Sequence, residues 1–438
     1  MSRSFFALLV ALLCFPRVAH ALPTFARKYE TSCQTCHVAY PKLTPFGEAF
    51  RWNGYRFPDH GDDTAQKRDP VELGNDAQKE RWPKAVFPGS IPWDAPISLV
   101  LSGAAGYGPE FETHHHGTVM AGMEETEEEH GHEPQLDLST MVDMFGVRTG
   151  GTLGDHVSFL GAVNLGGMAL VEIERANVVF SPFARPTDLR IKVGIFEPEL
   201  HGVTIHRGLF GHMLRLTTTP YGDSPWTPEM SQSGLELSGI AAHRFGWAAG
   251  VVENETPGVY LAKDVYGRAF VKLGGMPADG TGGTSATAAW RDRSFTLGAS
   301  VYNGRAQIST DTSLQDDPFT RVGVDAHAMY DDLSVDVVAA REWHDSPYAG
   351  DSTDGSMDRL YAEVTWVALP VVFPSLRLEA SRTTDGTADP SEATWLAVGA
   401  VTGVVRPNVL LRGMVGVGAE PGEEPGFHFA TLNYSIAY

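Results

Sequence analysis

Cys33-Gln34-Thr35-Cys36-His37 is the stretch whose residue types and spacing promise chemistry. Two thiols three positions apart can add to the two vinyl groups of one haem, and the histidine that follows can ligate its iron. Cys33 and Cys36 are therefore the expected thioether anchors of one c-type haem, with His37 as the proximal ligand. So short a pattern also arises by chance, and its weight here comes from the cysteine inventory. The chain has three cysteines, and Cys14 lies in an N-terminal apolar run, which leaves one pair. A structural disulfide would compete with haem for those two thiols.

The N-terminus sets the expected compartment. Arg3 gives a basic start, residues 5–15 are an apolar core, and Ala19-His20-Ala21 matches a small-x-small cleavage site. The run is too short to span a bilayer as a helix. A secretory signal over residues 1–21 is expected, and export to an oxidising compartment suits a cytochrome matured outside the cytoplasm. The formal charge is −21, and it becomes more negative when Arg3 and Arg17 leave with the signal. That disfavours nucleic acid as a partner, argues against peripheral attachment to anionic lipid, and attracts cations.

The elements that must position the haem motif divide near residue 95. Residues 22–94 hold the motif, several prolines and a charged, poorly periodic run. Beyond it, short apolar/polar alternations recur between turn-rich segments. In residues 189–195 every odd position is apolar; Val322, Val324, Ala326, Ala328 and Tyr330 alternate with polar or small neighbours, and Phe295, Leu297, Ala299 and Val301 do the same. A period of two means strands with two unlike faces.

Such strands fit a soluble sandwich or an outer-membrane barrel, and four observations favour the barrel. Strands of about 9–13 residues suit a tilted crossing. Tyr260, Trp290, Tyr330, Trp343 and Trp366 lie at strand ends, where an interfacial girdle needs them. Links alternate between tight (Tyr330-Asp331-Asp332, Arg406-Pro407-Asn408) and longer polar ones. The last strand alternates and ends on Tyr438, resembling the signal by which bacterial barrels are recognised for insertion. The expected fold is thus all-β, a barrel of 16 strands over residues 95–438 (18 as the alternative, with residues 200–272 uncertain), preceded by a small, partly helical monohaem segment over residues 22–94. An even strand number places both barrel ends in the periplasm.

Leu22-Pro23-Thr24-Phe25-Ala26-Arg27, the Cys33–His37 motif, Pro41-Lys42-Leu43-Thr44-Pro45-Phe46-Gly47 and Gly54-Tyr55 together resemble the N-terminus of the fused outer-membrane monohaem cytochrome–porins, best known from iron-oxidising bacteria. The match covers residues 22 to about 57; the barrel matches in architecture, not in motif. The resemblance implies a haem that moves electrons between an extracellular donor, ferrous iron in the best-known members, and periplasmic carriers. It implies the same roles for Cys33, Cys36 and His37. The donor does not carry over, since no donor-specific motif is visible.

Thr44-Pro45 offers an N-cap and a first-turn proline for a helix that Gly54 can end. On it Phe46, Ala49, Phe50 and Asn53 share a face that can cover a haem edge or form a mini-core. The distal iron ligand is open. Residues 22–94 contain no methionine, and His60 is their sole other histidine, so His60 is a candidate beside a barrel-wall residue or an open site; two histidines would give a lower potential than His/Met. Between the first two strands, His114, His115, His116, His130 and His132 accompany a glutamate cluster, competent for low-specificity capture of transition-metal ions, although such a charge run is more often a solvated loop.

Two function classes follow. One is an electron-transfer protein, iron oxidase-like, with outer-membrane lipid, a periplasmic cytochrome or other carrier, and an extracellular metal ion or reductant as partners; the same site could export electrons instead. The other is a passive cation-preferring porin with a structural haem plug, its preference set by lumen charges such as Asp325, Asp336 and Glu379.

Overall fold

Alternation along the strands sorts charge inward and apolar side chains outward, the reverse of a soluble protein. In the strand Leu333–His344, the residues Ser334, Asp336, Val338, Ala340, Glu342 and His344 are buried, while Leu333, Val337 and Trp343 between them are exposed. The same rule leaves Leu376 and Leu432 60% and 58% exposed on their strands. Only a lipid environment makes that exterior favourable, and the chain crosses the membrane as a β-barrel.

The computed structural model describes residues 24–437 except 59–70, 73–75, 82–89, 92–95, 109–134, 139, 143, 167–170, 210–214, 229–230, 255–262, 284–287, 311–312 and 387. The expected signal over residues 1–21, His60, all five histidines of the His/Glu-rich stretch and the girdle candidate Tyr260 lie outside the described residues.

Sixteen antiparallel strands, from Ile97–Gly108 to Gly426–Ala437, close into one barrel, and a three-residue strand, Gln135–Asp137, adds to the first. The last strand pairs with the first, with Leu432 opposite Ala105. The barrel begins within two residues of the expected boundary. Strands vary more in length than expected, from seven residues in Arg190–Phe196 to eighteen in Asp292–Ser309 and Leu314–Asp331. The tight links at residues 242–244, 332 and 407–408 fall at one rim. Ala242 and His243 hold one of them with φ of 49° and 61°, and Asp331 holds another with φ of 51°. Both ends of the barrel lie at this short-turn rim, as an even strand number requires. Tyr330 and Trp366 are exposed at the same rim and Trp343 at the other, where girdle aromatics belong, whereas Trp290 lies in a turn and donates its Nε1 to Asp332 at 2.9 Å.

The uncertain stretch resolves to three strands, Gln232–Ala241, Phe245–Glu253 and Lys263–Gly274, so the count is sixteen and not eighteen. The described residues of 197–231 form no strand. They leave the wall after Arg190–Phe196 and fold into the lumen, where Val203, Ile205 and Leu216 pack on the wall residues Val338 and Tyr361. Together with residues 24–58 they occupy space that water would otherwise fill.

Candidate functional site

The Cys-x-x-Cys stretch is itself one helical turn, Cys33–Cys36, capped by Ser32, whose side chain accepts from the Gln34 N–H. One turn brings residues three apart to the same face, so the two thiols share one side. His37 leaves the turn into a short hairpin in which His37–Ala39 pairs with Lys42–Leu43. The His37 Nδ1 lies 3.1 Å from the Pro41 carbonyl oxygen. A carbonyl can only accept, so Nδ1 carries the proton and Nε2 keeps its lone pair, the arrangement metal-ligating histidines use. Burial pushes the imidazole below its ordinary pKa, against the raising effect of that hydrogen bond, so the ring is neutral near pH 7. Burial also raises both thiols, Cys36 to about 12 with a further push from Cys33.

The helix Pro45–Trp52 forms where expected. Thr44 caps it by accepting from the Gly47 N–H at 3.0 Å, Pro45 opens it, and Gly54 follows it with a φ of +65°. Its faces are used differently from the expectation. Gly47, Phe50 and Arg51 line the cavity beside the cysteines. Ala49 and Asn53 instead face the link between the strands Lys263–Gly274 and Asp292–Ser309, Ala49 beside Gly280 and Asn53 donating to the Asp279 carbonyl at 2.7 Å. The helix lies against the Cys33–Cys36 turn so closely that a Cβ at position 47 would sit 2.0 Å from the Cys36 carbonyl oxygen. Backbone cannot yield that distance. Gly47→Ala should therefore force the two helices apart and sharply reduce loading of the cysteines, read as cofactor stoichiometry on purified protein; wild-type loading would refute this packing.

These residues surround a cavity of about 310 Å³, at the lower end of the roughly 300–1,000 Å³ typical of ligand sites. One side is aromatic. Phe25 stacks on Tyr55 at 5.2 Å, Tyr29 stacks on Phe57 at 4.4 Å, and Phe50 meets Phe25 edge-on at 5.3 Å. The other side is charged and comes from the barrel and the lumen segment, with Arg148, Arg175, Lys192 and Arg207 beside Glu197 and Glu199; Arg148 and Arg175 pair with Glu174 at 3.0 and 3.4 Å. The buried Nε atoms of Arg148 and Arg175 have no hydrogen-bond partner. The cavity thus offers two thiols, one imidazole nitrogen, aromatic walls and guanidinium groups for carboxylates.

Ion pairs seat the N-terminal segment in the lumen. Lys42 reaches Asp336 at 2.8 Å and Glu363 at 2.7 Å. Arg51 binds Glu199 at 2.7 Å, and Glu199 also accepts from Arg207 at 2.7 Å and Arg268 at 2.9 Å. Arg56 donates to the carbonyls of Gly154 and Val157, both at 2.8 Å. The lumen charges offered for cation preference are committed. Asp336 holds Lys42, Asp325 holds Arg268 at 2.7 Å, and Glu379 lies 3.1 Å from Arg377.

Three features were not read from the sequence: the partners of Lys42, the Glu199 cluster, and His206, which lines the same cavity. The signal for the last two was present, since residues 197–231 are too long for a tight link and carry Glu197, Glu199, His201, His206 and Arg207 together; links of that length are usually functional. From the cavity, Phe196 packs with Trp226, Tyr266, Tyr302 and Phe319. Phe319 stacks on His344 at 5.0 Å, Tyr221 meets His344 at 5.0 Å, and Tyr348 lies 6.0 Å from Tyr221 in the link between Leu333–His344 and Gly355–Trp366. Packed aromatic matter thus runs from the cavity to the long-loop rim. Among the described residues, no group of three or more His, Cys, Asp or Glu is arranged to hold a metal ion.

No protein-family model and no curated protein matches the sequence. Solved structures similar to the barrel include the outer membrane channel DcaP of Acinetobacter baumannii, with a TM-score of 0.52 and 12% identity over 78% of this chain and 96% of that one. OmpF of Salmonella typhi, in complex with daunomycin, gives 0.51 and 8% over 78% and 97%. A loop-deletion form of OmpT, an outer membrane protein of Vibrio cholerae, gives 0.50 and 12% over 78% and 98%. Identity this low speaks to architecture alone, and the architecture shared is the closed porin-type barrel.

Proposed function

We propose that this chain is an outer-membrane electron-transfer protein with one covalent c-type haem in the lumen, near the periplasmic end. It takes electrons singly from an extracellular donor such as ferrous iron and passes them to a periplasmic carrier. The short-turn rim is the periplasmic one, by the usual loop asymmetry of such barrels. The observation that carries the reading is the Cys33–Cys36 turn with the oriented His37 ring, enclosed in an aromatic and charged cavity inside the lumen. The residues fit the group. Each thiol would add across one vinyl, its hydrogen going to the terminal carbon; His37 would offer Nε2; Phe25, Tyr29 and Phe50 would exclude water; Arg148 and Arg175, which hold Glu174, would face the propionates. Bound there, a haem supplies a one-electron ferric/ferrous couple. The column from Phe196 to Tyr348 supports electron passage to the extracellular rim, since it replaces water by packed aromatic side chains. Resemblance to the fused cytochrome–porins supports the same reading.

Paired lumen charges and an occupied lumen weigh against the passive cation-preferring porin. The test is covalent haem on the denatured, purified protein, with Cys36→Ala beside it. The wild type should carry one haem per chain and be reduced by ferrous iron, while Cys36→Ala forms the barrel without these properties. A haem-free wild type with porin-like conductance would contradict the proposal.

A further inference from the structure

We infer that His206, on the lumen segment, would serve with His37 as the second protein ligand of the haem iron. This rests on the haem reading above. Soft nitrogen or sulfur donors complete six-coordinate c-type sites. Among the described residues lining the cavity, His206 is the one imidazole besides His37, and no methionine lines it. The lumen segment's other described histidine, His201, does not line the cavity and bonds through Nδ1 to the Val203 carbonyl.

His206 is held at its backbone and at both ring nitrogens, and only a turn of the ring frees Nε2. Its backbone is held in a turn, where the His206 N–H donates to Thr204 Oγ1 at 3.3 Å and the Arg207 N–H to the Thr204 carbonyl at 3.0 Å. Glu197 lies 3.2 Å from its Nδ1, and a carboxylate on the distal ring nitrogen orients a ligating imidazole and raises its basicity. The other nitrogen, Nε2, is bonded to Glu174. Turning Nε2 to the iron does not strand that carboxylate, because Glu174 also pairs with Arg148 at 3.0 Å and Arg175 at 3.4 Å. The step is a Lewis acid–base exchange with no change in oxidation state. The Nε2 lone pair goes to iron, and any proton on Nε2 passes to Glu174. Loop and cytochrome segment would then be joined through the metal as well as through Arg51 and Glu199.

Spectroscopy of the purified full-length protein decides this without an activity assay. The ferric wild type should be low-spin with two imidazole ligands. His206→Ala should become high-spin and return to low-spin on adding free imidazole. His206→Met should stay low-spin, gain the far-red absorption of a methionine–iron bond, and titrate at a higher potential. A barrel band that still shifts on heating before electrophoresis shows that each variant is folded. A His206→Ala spectrum identical to wild type would overturn the assignment, and so would conversion to high spin by His60→Ala alone. A wild type without covalent haem would instead sink the underlying reading.

Discussion

Glu199→Gln should release the N-terminal segment from the lumen. Glu199 is 3% exposed and is the shared acceptor of Arg51 on the helix Pro45–Trp52, Arg207 on the lumen segment and Arg268 on the wall. The amide keeps the shape but removes the charge from three buried guanidiniums, of which Arg51 retains Glu48 at 2.9 Å and Arg268 retains Asp325 at 2.7 Å. Removing one partner of a buried ionic cluster costs about 3–5 kcal/mol. At 1.4 kcal/mol per decade, the docking equilibrium constant should fall by roughly a hundredfold or more. The check is protease cleavage of the segment in folded protein, with the barrel's heat-shifted electrophoretic band unchanged. A segment as protected as in wild type would mean that the aromatic packing suffices. Burial opposes ionisation of Glu199, but Arg207, Arg51 and Arg268 outweigh it and hold the carboxyl well below its ordinary value of 4.5. A depressed folded pKa contributes stability above the unfolded value, lost only as pH falls through the folded one. Docking should therefore survive at pH 4.

Lys42→Met is the second large effect. Lys42 leaves the hairpin beside His37 and enters a cluster of Asp336, Glu363 and Thr365. Burial favours loss of its proton, yet Asp336 and Glu363 raise its pKa well above the ordinary 10.5. This contribution is complete below pH 10.5 and fades only as pH rises through the folded value. Methionine fills the volume but strands two buried carboxylates, again about 3–5 kcal/mol. The triple variant Lys42→Met/Asp336→Asn/Glu363→Gln should recover most of the loss, because replacing a whole buried ionic cluster is often close to neutral. Thermal unfolding of the segment, followed through its aromatic signal, reads both. Lys42→Met as stable as wild type would show that Asp336 and Glu363 take other partners.

The two halves of the molecule differed in how much their sequence disclosed. Alternation in residues 189–195, 295–301 and 322–330 gave strands because a pleated backbone turns successive side chains to opposite faces, a purely local rule. Thr44, Pro45 and Gly54 bounded a helix for equally local reasons. Asn53 turns away from the cavity because its acceptor is the carbonyl of Asp279, on a strand-connecting link 226 residues away. Lys42 likewise reads as a surface lysine until barrel closure brings Asp336 and Glu363 to it. His206 falls in a segment without period two, and nothing local says that such a segment folds inward instead of out into solvent.

The central claim is that an electron enters from outside and reaches a haem held by Cys33, Cys36 and His37. Its most direct test adds ferrous iron to the outer face of sealed, right-side-out outer-membrane vesicles carrying the oxidised protein and follows the α band of reduced haem. Reduction from that face, absent in Cys36→Ala vesicles, is the predicted result. A haem that stays oxidised, or that responds only to reductant on the periplasmic face, would contradict the account.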